Sequence, residues 1–313
     1  MKKVMKKRAL FITSQSFRQC SLIIRGRMKA RIVKIVSTEY TLMDEEGNTF
    51  DSILTGKIRK QRVPVTGDIV ECKESHGRYV IEKILPRRNE MIRPSVANVD
   101  QVLIVMSVKD PDFSTALIDR LSMLIMKSGI EPMLIVTKTD LGISEETEER
   151  IREYERGPMK VIRTAKGSLN PEVSSFLEGK ISVLTGQSGA GKSTLLNQLD
   201  PTFHLATQEI SKALGRGKHT TRHNELHKVA GGLVADTPGF SSLDFAHVNA
   251  NELGNYVPDF LPYIGKCKFN DCIHENEPMC AVKQALEDGL IPKERYKNYL
   301  QVLQMIHERR EKF

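Results

Sequence analysis

The residues best placed to do chemistry are Gly186, Gln187, Ser188, Gly189, Ala190, Gly191, Lys192 and Ser193, which spell G-x-x-x-x-G-K-S. Glycines let a backbone turn tightly enough for several N–H groups to face one anion, and a helix beginning at the end of the loop adds positive partial charge. A nucleoside triphosphate fits that description. Lys192 would reach the β- and γ-phosphates, the Ser193 hydroxyl would ligate Mg²⁺, and Thr194 follows in the first helical turn. The elements that must position this loop are present in the pattern: Ile181–Thr185 reads as a buried strand, and residues 194–199 read as a helix that stops before Pro201. A second phosphate-end element is Asp236-Thr237-Pro238-Gly239, after the apolar run Leu233-Val234-Ala235. In the D-x-x-G pattern the Asp holds Mg²⁺ and the Gly N–H meets a γ-phosphate, although D-x-P-G also makes an ordinary turn.

Base recognition is written upstream of the phosphate loop. Met133-Leu134-Ile135-Val136 runs as a strand into Thr137-Lys138-Thr139-Asp140, a variant of N-K-x-D. The Asp140 carboxylate can accept from both N1–H and N2–H₂ of guanine, a pair that adenine does not offer. Lys138 would lay its aliphatic stem over the base. Thr137 stands where Asn is usual, which leaves the contacts of that Asn open. Thr164-Ala165-Lys166, after the short strand at 160–162, is similar to the S-A-K turn whose backbone N–H meets guanine O6. The order is therefore base readers, phosphate loop, Mg²⁺ loop, a circular permutation of the usual one. An α/β fold tolerates this, because its sites gather at the carboxyl ends of parallel strands wherever the chain is cut. The cut also leads the chain from Asp236 straight into the C-terminal region.

Three of only five cysteines and one of eight histidines fall together, as Cys267, Cys272, His274 and Cys280. Cys₃His is a tetrahedral Zn²⁺ set, and four protein ligands leave no open position for a catalytic water, so a structural staple is expected. Cys20 and Cys72 read as isolated reduced thiols, and an odd count argues against a disulfide framework. The permuted order, the run Gly215-Arg216-Gly217-Lys218-His219-Thr220-Thr221, Asp236 to Phe240 and this cysteine cluster together resemble the circularly permuted, small-ribosomal-subunit-dependent GTPases, the RsgA family. The resemblance covers roughly residue 28 to the end. It implies hydrolysis of GTP to GDP and phosphate, binding of the small ribosomal subunit and its rRNA late in maturation, stimulation by that subunit, one structural Zn²⁺, and Mg²⁺ with GTP. A cytoplasmic monomer is expected.

Hydrolysis needs a water in line with the γ-phosphate. Phe240 occupies the position that a water-orienting Gln takes in many GTPases, and Phe cannot hydrogen-bond water. His219 is the nearest alternative, in a stretch from Ser211 to His223 with four Lys or Arg and no acid. Thr220 or Thr221 there would be the switch ligand to Mg²⁺. Two readings of His219 stand: a water-positioning group, or a surface histidine in a flexible loop. An alternative for the whole chain is an RNA-binding module that uses GTP only as a conformational sensor. A third, a P-loop ATPase or kinase, is opposed by Asp140.

The supporting architecture is multidomain. Residues 1–27 carry eight Lys or Arg and no acid, which accounts for the whole net charge of +8. The body is neutral, so RNA binding must come from local patches. Residues 1–27 read as a basic tail, a transit peptide or an upstream extension before Met28, and the last is favoured. Residues 28–92 show five short strands, expected as an all-β OB-fold barrel with the run Lys57, Arg59, Lys60, Arg62 between strands. That run is either a solvated loop or a phosphate-backbone contact, and the resemblance favours the contact. Residues 86–100 look like a linker. Residues 93–245 are expected as the permuted α/β P-loop GTPase domain, with helices at 114–128 and 145–156. Residues 246–313 are expected as a helical zinc-binding domain with helices at 281–287 and 293–310; the basic end of the second suits RNA or merely the helix dipole. No stretch approaches the roughly twenty apolar residues of a membrane span.

Overall fold

The computed structural model describes residues 27–56, 58, 62–91, 94–200, 225–236 and 244–310. Strands β1 (Arg27–Val36), β2 (Glu39–Met43), β3 (Thr49–Leu54), β4 (Ile69–Ser75) and β5 (Arg78–Ile84) close into a barrel in the order β1-β2-β3-β5-β4. Alternation decides what faces inward: Ala30, Ile32, Tyr40, Leu42, Val70, Cys72 and Ile81 form the buried core. Closure comes from the parallel pairing of β3 with β5, and the result is the expected OB-type barrel. Of the basic run, only Arg62 lies within the described residues, where it pairs with Glu90 at 3.7 Å.

The linker reading of residues 86–100 is corrected. The segment folds into a small hairpin of β6 (Glu90–Met91) and β7 (Val96–Ala97), and Val96, Ala97 and Val99 are buried. Its polar residues fasten the barrel to the next domain. Arg87 holds Asp68 through Nε and Nη2 at 2.6 and 2.8 Å. Arg88 donates to the carbonyls of Asn98 and Val99 and to Asp100. Gly67 has φ +89°, and a Cβ there would lie 2.1 Å from the Ala97 carbonyl oxygen; no side chain fits between barrel and hairpin. Composition misleads here because Arg and Asn count as solvent-seeking, yet their side chains can satisfy buried carbonyls.

The central sheet contains β8 (Gln101–Ser107), β9 (Glu131–Thr137), β10 (Lys160–Arg163), β11 (Ile181–Thr185), β12 (Leu226–Val229) and β13 (Gly232–Asp236), in the order β10-β9-β8-β11-β13-β12. All pairings are parallel except β12 with β13. Residues of β8 alternate between two cores: Val102, Ile104 and Met106 face one layer, Leu103 and Val105 the other. Helices α1 (Thr115–Lys127) and α2 (Glu145–Arg156) supply Ile118, Leu121, Ile125, Ile151 and Tyr154 to the first layer. Helices α3 (Pro171–Leu177) and α4 (Lys192–Leu199) supply Val173, Leu177, Leu195 and Leu196 to the second. Hydroxyl caps start α1 and α2: Ser114 accepts from Leu117 N–H and Ser144 from Thr147 N–H.

Beyond the sheet, α5 (Ala250–Leu253), two 3₁₀ turns, α6 (Ala281–Glu287) and α7 (Lys293–Arg310) enclose a separate core around Phe260, Tyr299, Val302 and Leu303. Met123 of α1 joins that core, and polar groups lock the same face. Arg295 of α7 is buried and pairs with both Asp119 of α1 and Asp259, the latter at 2.8 Å. Asn298 and Tyr154 also donate to Asp119, and the Arg295 guanidinium lies 3.8 Å from the Tyr154 ring centre.

Candidate functional site

Three loops meet at one end of the sheet. Chain order runs outward from β8 to β10 and then crosses to β11 on the other side of β8, so the order reverses between β8 and β11. Ligands of open α/β sheets bind in the crevice at such a reversal, at the carboxyl ends of the strands. The loop after β11 is Gly186 to Gly191, the loop after β9 is Thr137 to Asp140, and the turn after β10 contains Thr164 to Lys166.

The glycine loop has the shape its spelling requires. Gly186, Gly189 and Gly191 all have positive φ, and a Cβ on Gly186 would lie 2.0 Å from the Val105 carbonyl oxygen. Gly191 caps α4. Lys192 Nζ donates to the carbonyls of Gly186 and Gln187 at 3.0 and 2.7 Å, which holds the ammonium across the loop mouth. Ser188, Gly189, Ser193 and Thr194 are exposed, so the hydroxyls of the first helical turn are open to a cation. Gln187 Oε1 and the hydroxyls of Thr164 and Thr185 are buried with no hydrogen-bond partner among the described residues. Such atoms at the strand ends fit a polar ligand.

The two base-reading segments are in direct contact. Asp140 is exposed, and its Oδ1 accepts from Lys166 N–H at 3.0 Å. Thr139 N–H and Oγ1 both donate to the Thr164 carbonyl. Gln198 of α4 donates to the Ala165 carbonyl at 3.3 Å, so the phosphate-loop helix supports the T-A-K turn. Lys138 is left-handed, with φ 59°, and its Nζ donates to the Asp110 carbonyl. The segment Asp110-Pro111 after β8 thus forms a further wall: a Cβ on Gly189 would lie 3.5 Å from Pro111 Cδ. Sequence reasoning passed over Asp110 and Gln198, which no motif marks.

The structure places Asp236 at the end of β13, its backbone in register with Leu184 beside the phosphate loop. Thr237, Pro238, Gly239 and Phe240 lie outside the described residues, as does the whole stretch from Ser211 to His223 with His219, Thr220 and Thr221.

The cysteine cluster is assembled as the spacing suggested. Cys267, Cys272, His274 and Cys280 present ligand atoms all within 4.8 Å of one another. His274 Nδ1 lies 3.6, 3.4 and 3.4 Å from the three sulfurs, and Cys267 Sγ lies 3.9 Å from Cys280 Sγ. Tetrahedral Zn²⁺ with bonds of about 2.3 Å to sulfur and about 2.0 Å to nitrogen needs S···N near ~3.5 Å and S···S near ~3.8 Å. The donors fit a metal ion. Burial pushes the Cys272 thiol up to about 12 and raises Cys280 as well, and a divalent cation supplies the charge that would offset three crowded thiolates. The surroundings fix the ligands. Glu277 accepts from Ile273 and Glu275 N–H at 2.6 and 2.8 Å, while Tyr296 and Tyr299 donate to the carbonyls of His274 and Ile273. A Cβ on Gly254 would lie 2.8 Å from His274 Nε2, so the imidazole packs where only glycine allows.

Sheet order, loop placement and donor geometry define a P-loop nucleotide-binding protein of the GTPase type, permuted and carrying a Cys₃His cluster whose donors fit a metal ion. The RsgA GTPase family model matches residues 84–246. Small ribosomal subunit biogenesis GTPase RsgA 2 of Oceanobacillus iheyensis is 42% identical over 294 residues, covering 91% of this chain and 99% of that protein. Small ribosomal subunit biogenesis GTPase RsgA of a Geobacillus species is 44% identical over 293 residues, with the same coverage of 91% and 99%. Among solved structures, YloQ, described as a circularly permuted GTPase, superposes with TM-score 0.78 at 34% identity, covering 93% of this chain and 99% of that one. YjeQ from Thermotoga maritima gives TM-score 0.76 at 36% identity, covering 90% and 98%. The chain belongs to the RsgA GTPase family.

Proposed function

We propose that this chain is a GTP hydrolase of small ribosomal subunit biogenesis that binds the subunit and its rRNA through the barrel and the metal-stapled domain. The observation that carries the reading is the meeting of Thr137–Asp140, Thr164–Lys166 and Gly186–Ser193 at the carboxyl ends of β9, β10 and β11. Asp140 reads guanine and the Lys166 N–H orients its carboxylate. Backbone N–H groups of residues 186–191 and Lys192 hold the phosphates. Gly239 is assigned to the γ-phosphate. Ser193, Asp236 and Thr220 or Thr221 are assigned to Mg²⁺, which supplies charge neutralisation at the β- and γ-oxygens. Zn²⁺ is the metal assigned to Cys267, Cys272, His274 and Cys280, in a closed set suited to a staple.

We divide the chain at about residues 92 and 245 into barrel, GTPase domain and metal domain, and read it as a cytoplasmic monomer. Among the described residues no helix is long and apolar enough to cross a membrane. Phosphate release from GTP and from ATP, each with and without small ribosomal subunits, tests the function. Turnover of GTP alone, raised by subunits, is expected. Binding without turnover under both conditions would favour a conformational sensor, and equal use of ATP would overturn the base assignment.

A further inference from the structure

Helix α7 is bonded in two directions at once. Arg295 and Asn298, three residues apart, reach α1: Arg295 pairs with Asp119, and Asn298 donates to Asp119 Oδ2 at 2.6 Å. Tyr296 and Tyr299, each one position further on, reach the loop that carries His274. The Tyr296 hydroxyl donates to the His274 carbonyl at 2.7 Å, and the Tyr299 hydroxyl donates to the Ile273 carbonyl. At about 100° per residue the two pairs form stripes about 100° apart on one rigid helix. A shift of α7 that breaks one set of bonds therefore moves the other. The 3₁₀ turn Pro258–Tyr263 repeats the arrangement. Its Asp259 accepts from Arg295 Nε at 2.8 Å. The next residue, Phe260, packs edge-on against the His274 ring with centroids 6.0 Å apart, and against the Tyr299 ring at 4.9 Å. Asp119, Asp259, Phe260, Arg295, Asn298 and Tyr299 are all buried, so water does not replace these contacts when they are lost. Two separate backbone segments thus carry, in adjacent residues, both the joint with α1 and the surroundings of the Cys₃His cluster.

We propose that metal binding at Cys267, Cys272, His274 and Cys280 is coupled to docking of the C-terminal domain on α1, through α7 and the Asp259-Phe260 step. The proposal rests on the metal reading above and adds what the metal controls: how firmly the C-terminal domain sits on the GTPase domain. Linkage makes the coupling reciprocal. A metal ion that fixes the loop around His274 favours the docked position of α7, and a firm dock raises affinity for the metal by the same factor. A purely local staple would hold its own domain and be indifferent to Asp119.

The test titrates the full-length protein with Zn²⁺ against a chromophoric chelator, as wild type, Asp119→Asn and Val173→Ala. Asp119 lies in the GTPase domain and is bonded to Arg295, Asn298 and Tyr154, so it reaches the metal only through the dock. Val173 is buried in the other layer of the same domain and controls for general loss of stability. Asp119→Asn is expected to weaken Zn²⁺ binding about tenfold, within the range of about 5–150-fold usual for coupled sites. Val173→Ala should bind Zn²⁺ as wild type. Equal affinity in wild type and Asp119→Asn would overturn the coupling, and an equal loss in both variants would overturn it by assigning the effect to general instability. Should Asp119→Asn fail to fold, Arg295→Lys, which keeps the charge and loses the geometry that serves both carboxylates, reads the same difference. Wild-type protein that binds no Zn²⁺ would sink the metal reading itself, a separate outcome from tight binding that ignores Asp119.

Discussion

Replacing Arg295 by Met should loosen the metal domain from the GTPase domain, and the structure sets the size of the effect. Arg295 bridges Asp119 and Asp259, whose side chains are only 2% and 8% exposed. Burial alone would lower its guanidinium, but Asp119, Tyr154 and Asp259 outweigh that and push it up. Met fills much of the same volume, so the loss is chiefly electrostatic: two buried carboxylates without a cation. Breaking a buried pair from one side costs about 3–5 kcal/mol, and two pairs on one guanidinium place this case at the upper end. Multidomain unfolding is not two-state, so the assay is calorimetry with limited proteolysis between residues 244 and 310. The transition assigned to the C-terminal domain should fall and cleavage there should appear. Arg295→Lys should fall between, because an ammonium keeps the charge and loses the geometry that serves both carboxylates.

The pH dependence has a definite sign. Burial raises the Asp119 carboxyl above its ordinary value, against the lowering effects of Arg295, Asn298 and Tyr154. Removing Arg295 leaves burial less opposed, so folded Asp119 binds its proton more tightly than unfolded Asp119. Stability from such a group is present at low pH and lost as pH rises through the folded pKa. The deficit of Arg295→Met should therefore shrink as pH falls. An Arg295→Met protein whose C-terminal transition matches wild type at neutral pH would refute the reasoning.

Three further outcomes are expected. Asp140→Asn should lose on the order of 10²-fold in GTP affinity while gaining XTP, read by competition among GTP, XTP and ATP, because two acceptors opposite guanine N–H groups are disrupted. Freshly purified, reduced protein should carry about one Zn²⁺ per chain by metal analysis, and Cys272→Ser should lose it and open the C-terminal domain to protease while GTP binding persists. His219→Ala should remove most of the stimulation by small subunits with little change in GTP affinity in single-turnover hydrolysis, from an intrinsic rate well below about 1 per second; equal stimulation of variant and wild type would assign water placement elsewhere.

Local signals and chemical spacing were legible in the sequence. The helices expected at 114–128 and 145–156 are found at Thr115–Lys127 and Glu145–Arg156, and the helix over Lys293–Arg310 is also found as expected. The four candidate metal ligands span only fourteen positions, so their meeting needs no long-range knowledge. Helix α3 went unread although its marks are present: Asn170 accepts from Glu172 N–H as a cap and Pro171 sits at the first turn. What could not be read depends on residues brought together by the fold. Arg295 meets Asp119 across 176 positions, and Thr137 meets Ala190 across 53. No periodicity encodes such pairs. Arg309, read as suited to RNA or to the helix dipole, is engaged by Asp244 at 2.7 Å.

The permutation gives these long-range joints their importance. The first described residue after 201–224 is Glu225, which bridges to Lys34 of the barrel and pairs with it at 2.8 Å. Lys228 adds a bond to the Gly47 carbonyl in the barrel's β2–β3 loop. The first described residue after 237–243 is Asp244, bonded to Arg309 of α7, and Phe245 beside it is buried in the C-terminal core. The contacts within each anchor differ in strength. The ion pairs are half-exposed and worth about 0–1 kcal/mol each, whereas a buried Phe contributes about 1.5–3 kcal/mol. Each anchor pairs a half-exposed polar contact with a buried apolar neighbour: Asp244 is followed by Phe245 in the C-terminal core, and Glu225 by Leu226, which joins the same buried core as Val33 of the barrel. A perturbation of Phe245 should accordingly matter more than one of Glu225 or Arg309.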